Sequence, residues 1–347
     1  MAQARRKNSE TKPRPPELRL PAGMRDHAPA AAAARLKVIE TLIRAFQEAG
    51  FERVLTPAFE YEEVLALGLG AAARAATVRF VEPSSGQVVA LRPDITPQIA
   101  RLIATRYRDV KGPVRLCYEG TVVRLDRAAR GQRELSQAGV ELAGLAGPEG
   151  DAEVIALGVE ALTAAGLSRV TVDLGHLGLA RDLLRDMDLP PAAQDQVRRF
   201  MAKRDRQGLE NLLEGLKVFP AVKKCALEML QLSGPPSILK DARQRLPKGA
   251  HRAIAELVDI AAAVSKRRLE ADLHVDLGEV RGFDYYTGVR FQAFVRGAPD
   301  AVLRGGRYDD LLGRYGRPSP AVGFAIDVEA VAVALDAAST KTNQGGI

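Results

Sequence analysis

The sequence predicts an α+β fold: a mainly antiparallel sheet with flanking helices, interrupted by a helical insertion. Three observations carry this. Segments rich in β-branched residues are joined by short turns, which favours antiparallel neighbours. The texture changes between residues 179 and 268, where helical patterns follow one another between Pro- and Gly-rich breaks. Strand patterns resume after that block, so the block interrupts a sheet that both flanks help to build.

Taken in order, residues 1–19 form a basic, Pro- and Ser-containing tail with no apolar periodicity, expected to be disordered. Leu20 to Asp26 is a turn-rich lead-in. Ala31–Ala49 has apolar residues at Leu36, Ile39, Leu42, Ile43 and Phe46, a helical spacing closed by Gly50. Phe51–Leu55 reads as a strand stopped before Pro57. Phe80-Val81 and Val88–Leu91 read as a hairpin around Ser85-Gly86. Thr96 reads as an N-cap, with Pro97 opening a helix to about Tyr107. Pro113–Leu125 and Glu134–Leu145 are strands around an Arg-rich loop, Asp126–Arg133. Asp151–Ala165 is an amphipathic helix, and Val170–Leu174 a strand. The helical block 179–268 is expected to have its own small core. Strands follow at Ala271–Leu277, Val289–Val295 and Val322–Ile326, with Gly305–Asp309 read as a glycine-rich turn. A helix runs from Asp327 to Leu335. The organisation is therefore a tail (1–19), a core in two parts (20–178 and 269–337), the insertion (179–268) and a flexible C-terminal segment (338–347).

Composition removes several classes of function. The 46% hydrophobic content of the 347 residues suffices for an ordinary core. Cys117 and Cys225 lie far apart with no CxxC or Cys/His spacing, so neither a disulfide framework nor a metal site is expected. His27, His176, His251 and His274 are scattered outside any metal or triad context. No apolar stretch would span a bilayer and the N-terminus has no secretory core, so a cytoplasmic setting without membrane is expected. Of the formal net charge of +7, residues 1–20 hold +4, a solvated basic tail or an RNA-binding arm.

Three segments offer chemistry. Gln137 and Glu141, four apart in a strand, share a face, and Gly139 between them leaves room. They are either a polar slot or an ordinary solvated face. Asp94 can accept from an ammonium group or cap the helix that starts near Thr96. Arg281 to Gly288, Arg-Gly-Phe-Asp-Tyr-Tyr-Thr-Gly, is more specific. An arginine takes a carboxylate through two parallel hydrogen bonds, and one of Tyr285 and Tyr286 can face a ligand while the other packs. That set suits a small zwitterion with a polar ring. No GxGxxG or Walker sequence indicates a nucleotide loop.

Together these segments resemble the histidyl-tRNA synthetase family of class II synthetase folds, from about Leu20 to Leu335. Arg281–Gly288 is similar to its histidine signature, the surroundings of Pro57 to its dimer-forming first motif, and Arg124–Glu141 to its second. Gly305–Asp309 is the family phrase Gly-Gly-Arg-Tyr-Asp, and Pro320–Ile326 matches the strand of the third motif. Three departures stand out. Ala330 replaces the arginine that grips the ATP phosphates, Asp327 stands where glycine is usual, and only 17 residues follow Ala330, too few for an anticodon-binding domain.

The departures resemble the family's regulatory branch, which serves ATP phosphoribosyltransferase, the first enzyme of histidine biosynthesis. The resemblance implies a chain that is not itself an enzyme, uses no cofactor, and senses L-histidine for feedback inhibition. It implies a short catalytic subunit as partner, a homodimer within a hetero-octamer, and no tRNA. By the same resemblance Arg281 would meet the histidine carboxylate, with Arg124 beside it. Asp94, Thr96 and Gln137 would surround the α-ammonium, and Glu141 and Tyr286 would reach the imidazole. Tyr285 completes the set. Asp94 replaces a glutamate common in the family, which shortens its reach. Two other readings stay open: a truncated enzyme activating histidine with ATP, and an RNA-binding module using the basic tail.

Overall fold

The computed structural model describes residues 18–125, 131–283 and 285–344. The strands are β1 (Glu52–Arg53), β2 (Phe59–Tyr61), β3 (Arg79–Val81), β4 (Val88–Leu91), β5 (Val114–Val123), β6 (Glu134–Ala143), β7 (Val170–His176), β8 (Ser233–Gly234), β9 (Ala271–Asp276), β10 (Val289–Phe294), β11 (Leu303–Arg307) and β12 (Ala321–Asp327). Nine of them form one sheet in the order β1-β5-β6-β12-β11-β10-β7-β9-β8, and β2-β4-β3 form a small second sheet. The main sheet is antiparallel except for the parallel pairs β1/β5 and β7/β9. The helices are α1 (Pro29–Glu48), α2 (Glu62–Leu67), α3 (Ala71–Ala75), α4 (Thr96–Arg106), α5 (Pro148–Ala164), α6 (Leu177–Met187), α7 (Pro191–Ala202), α8 (Arg206–Glu214), α9 (Pro220–Met229), α10 (Ile238–Arg245), α11 (His251–Lys266), α12 (Leu311–Arg314) and α13 (Val328–Gln344).

Of the apolar spacing read in the first helix, Leu42, Ile43 and Phe46 are buried on α1 together with Val38, Ile39 is partly buried and Leu36 is exposed; the Phe46 ring meets Phe324 of β12 edge-on at 5.6 Å. Residues of α5, α11 and α13 join the same apolar core. A second cluster links Ile95, Ile99 and Ile103 at α4 with Leu116 and Tyr118 of β5 and with Tyr308. Among the described residues no helix is long and apolar enough to cross a membrane.

Several expectations need correction. Gly305–Asp309 is not a turn: Leu303–Arg307 is a strand between β10 and β12. Glycines sit there because aromatic rings lie over them. A Cβ on Gly305 would fall 2.4 Å from the Phe291 ring, and one on Gly306 2.6 Å from the Tyr286 ring. Thr96 is the first residue of α4 and not its cap; Asp94 Oδ1 accepts from the Thr96 amide at 3.2 Å in that role. The helical block has no separate core, because Leu179, Val197, Leu213 and Leu257 pack in one cluster with Val172 and Val289 of the sheet. It also returns an edge strand, β8, to β9. The last helix continues past Leu335 to Gln344. Residues 1–17 of the expected tail, most of the Arg-rich loop, and Asp284 lie outside the described residues.

Candidate functional site

Strand register builds the site. Glu141, Gly323, Gly306 and Arg290 stand side by side across β6, β12, β11 and β10, and Gly139, Ala325, Arg304 and Gln292 form the next row. Gly323 and Gly306 in the first row, and Gly139 and Ala325 in the second, make a trough in this face into which neighbouring side chains fold: Glu141 lies over Gly323, Tyr118 over Gly139, and the Tyr286 ring over Gly306 as one wall. Beside it is a cavity of about 270 Å³ lined by Asp94, Arg124, Gln137, Tyr286, Arg304 and Asp327 among others. A hollow of about 520 Å³ also lies between α7 and residues 280–283. The smaller cavity has the convergent polar groups expected of a ligand site.

Its groups are held in place with capacity left over. Asp94 uses Oδ1 on the amide and hydroxyl of Thr96, which leaves Oδ2 available. Arg124 is anchored by Nε on the Pro93 carbonyl at 2.7 Å, and its other donors remain for a ligand. Gln137 Oε1 is buried with no hydrogen-bond partner, an unmet cost unless a ligand or water donates to it. Asp327 caps α13 by accepting from the Ala330 amide at 3.0 Å. Arg304 pairs with Asp300 at 2.6 Å. Ala330 itself is buried in the core.

Deeper on the same face, Glu141 is enclosed. Tyr308 donates to its Oε2, Tyr118 approaches its Oε1 at 3.4 Å, and burial holds its carboxyl well above the usual carboxylate range. The room expected beside Gly139 is filled by its cross-strand partner: a Cβ there would meet the Tyr118 hydroxyl at 2.6 Å. Tyr285 packs between Tyr286 and Tyr308, at ring distances of 5.1 and 5.4 Å, and its hydroxyl is buried without a partner.

The structure thus brings Asp94, Arg124, Gln137 and Tyr286 to one cavity and places Thr96, Glu141 and Tyr285 behind it. It does not bring Arg281 there. That guanidinium is held by Glu279, with Nε to Oε1 at 3.0 Å and Nη2 to Oε2 at 2.8 Å. Burial raises the Glu279 pKa, but the Arg281 hydrogen bonds and the Arg290 charge outweigh this and leave it lowered. Oxygens of Asp173, Asp276 and Glu279 lie within 4.8 Å of one another, yet Arg204, Arg281 and Arg290 already neutralise the group, so its chemistry does not fit a cation. Arg304, Asp300, Glu279 and Arg290 were not singled out from sequence. Arg290 and Gln292 alternate visibly in a strand, but only the register shows which face they share.

An antiparallel sheet with this trough, a retained signature loop and a helical insertion defines a histidyl-tRNA synthetase-like chain of the class II fold. Residues 23–331 match the histidyl-tRNA synthetase family model. A structure described as an ATP phosphoribosyltransferase regulatory subunit/histidyl-tRNA synthetase from Bacillus halodurans superposes with a TM-score of 0.85 at 30% identity, covering 93% of this chain and 84% of that one. The ATP phosphoribosyltransferase regulatory subunit of Geobacter sulfurreducens is 39% identical over 93% of this chain and 74% of its own length. The protein of that name from an Anaeromyxobacter species is 40% identical over 94% and 96%. The chain belongs to the family of ATP phosphoribosyltransferase regulatory subunits, whose name marks regulatory and not catalytic chains.

Proposed function

We propose that the cavity beside Tyr286 binds free L-histidine, and that its occupancy sets the activity of a short ATP phosphoribosyltransferase catalytic subunit, giving feedback inhibition of histidine biosynthesis. The observation that carries this reading is the convergence of Asp94, oriented by the Thr96 amide, and the unpartnered Gln137 amide oxygen on one cavity of about 270 Å³. A carboxylate and an amide oxygen suit an α-ammonium, and Arg124 suits a carboxylate. Glu141 and the tyrosines behind the cavity would meet the imidazole after a rearrangement of the Tyr285-Tyr286 turn. Asp327 and Asp300 put carboxylates on the rim, which disfavours a polyphosphate and so the histidine-activating alternative. The partner follows from the relatives' name, and a homodimer within a hetero-octamer is what the family resemblance implies.

Coupling requires histidine to bind two states of the complex with different affinity. The test is to purify the chain with the catalytic subunit and follow phosphoribosyl transfer against histidine. Arg281→Ala and Glu141→Gln should lose inhibition while keeping activation by assembly. A normal histidine response in both variants refutes the pocket. Sustained histidine-dependent ATP–pyrophosphate exchange by the pure chain refutes the regulatory reading.

A further inference from the structure

The position of Arg281 points to a mechanism for recognising the effector's carboxylate. Glu279 meets its guanidinium through the same two-pronged geometry a ligand carboxylate would use, and its Oε1 also accepts from the Arg281 backbone amide at 2.7 Å. The two partners differ in exposure: the Glu279 side chain is 2% exposed and that of Arg281 56%. The carboxylate is therefore fixed and the guanidinium is the member free to move.

Departure of Arg281 would not strand Glu279. Arg290, itself buried, donates to Glu279 Oε2 at 2.6 Å and to Gln292 Oε1 at 3.1 Å, so the buried carboxylate keeps a cation. The departure is opposed, because Asp173, Asp276 and Glu279 would then keep two arginines, Arg204 and Arg290, in place of three, with the His274 ring on Asp173. The adjoining Gly282, at φ +80°, packs against the Tyr286 ring that walls the cavity, where a Cβ would lie 2.7 Å from the ring. The backbone carrying Arg281 is thereby tied to the cavity wall.

We propose that Glu279 is an internal stand-in for the effector's carboxylate: it holds Arg281 through its own carboxylate, and a ligand gains Arg281 only by offering a carboxylate in exchange. This rests on the reading of the cavity as a histidine site and adds a specificity rule to it. The site would take a free amino acid and discriminate against the corresponding amine, amide or alcohol, which cannot complete the exchange. Glu279 acts here as a positioning residue, through Arg281.

The experiment is calorimetric titration of the full chain with L-histidine and with L-histidinol, in which an alcohol replaces the carboxylate. Glu279→Gln removes the competitor. It should tighten histidine roughly fivefold, the factor equivalent to losing an ion pair of about 1 kcal/mol whose arginine is in solvent, and leave histidinol unchanged. Because that variant leaves Arg290 without its carboxylate, Glu279→Gln/Arg290→Met is measured alongside, with the same difference between the two ligands expected. Unchanged or weaker histidine binding in both variants, or an equal gain for histidinol, overturns the proposal. A wild-type chain that binds no histidine, alone or in complex, overturns the underlying reading instead.

Discussion

Replacing Arg307 with methionine should be among the most damaging single changes at the end of β11. Arg307 belongs to the Gly-Gly-Arg-Tyr-Asp phrase, and the structure gives it a structural task. It is buried at the end of β11, with Nε 2.8 Å from Asp151 Oδ1, Nη1 3.0 Å from Asp309 Oδ1, and further donors on the carbonyls of Leu145 and Gly147. Asp309 in turn accepts from the Ala321 amide at 3.0 Å, so the arginine joins β11, the start of β12 and the start of α5. Methionine fills similar volume but leaves Asp151 buried and unpaired, a change that costs about 3–5 kcal/mol.

The loss should depend on pH. Burial already pushes the Asp151 acid up to about 6 despite Arg307. An acid whose folded pKa lies above its unfolded value lowers stability as pH rises between the two, here from about 4 to about 6. Without Arg307 the folded value climbs further, so the variant's deficit should be larger at neutral than at mildly acidic pH. Urea unfolding of wild type and Arg307→Met at pH about 7.5 and about 5 measures this, with Arg307→Met/Asp151→Asn as the rescue. A deficit below about 1 kcal/mol at the higher pH, or one that neither acid nor Asp151→Asn reduces, would refute the reasoning.

Further outcomes follow from other contacts. Gly306→Ala should weaken histidine binding and alter the near-ultraviolet dichroism of the tyrosines, because the new Cβ would meet the Tyr286 ring at 2.6 Å and the Val289 carbonyl at 2.7 Å; unchanged binding would sever Tyr286 from the site. Glu256→Gln should cost stability at neutral pH and less in acid. The hydrogen bond with His176 comes first in holding the Glu256 acid down at about 2, so its stabilisation is present above about 4.5 and lost as pH falls through about 2; urea melts across that range would show a pH-independent difference if the contact were idle. Phe283→Ala should speed hydrogen exchange across residues 279–286. The Phe283 ring sits 5.5 Å from the Arg181 guanidinium and 4.8 Å from that of Arg198, and Arg181 also donates to its carbonyl at 2.9 Å. Unaltered exchange there would mean that the insertion does not steady the loop.

Much of this architecture was legible beforehand because periodicity reports burial. The stripe Leu42, Ile43 and Phe46 is buried as its spacing implied, and the strands around the Arg-rich loop pair over their whole length. The glycine phrase was misread because local chemistry favours a turn there, whereas facing aromatic rings make it a strand. The core of the insertion was misjudged for a related reason: apolar spacing shows that a face is buried, not against what. Gln137 and Glu141 do share a face, yet the space between them belongs to Tyr118, a neighbour some twenty residues away in the chain.

By itself the sequence determined which side chains could recognise a zwitterion and which class of sheet would carry them; the family resemblance adds that Ala330 stands where an arginine grips phosphates. These are matters of residue identity and short-range spacing. Tertiary structure decided that Asp94, Arg124, Gln137 and Tyr286 meet at one cavity, that Glu141 is sealed by tyrosines, and that Arg281 is occupied by Glu279. The physical reason is that strand register and buried charge balance are set between segments far apart in the chain, where local pattern carries no information about partners.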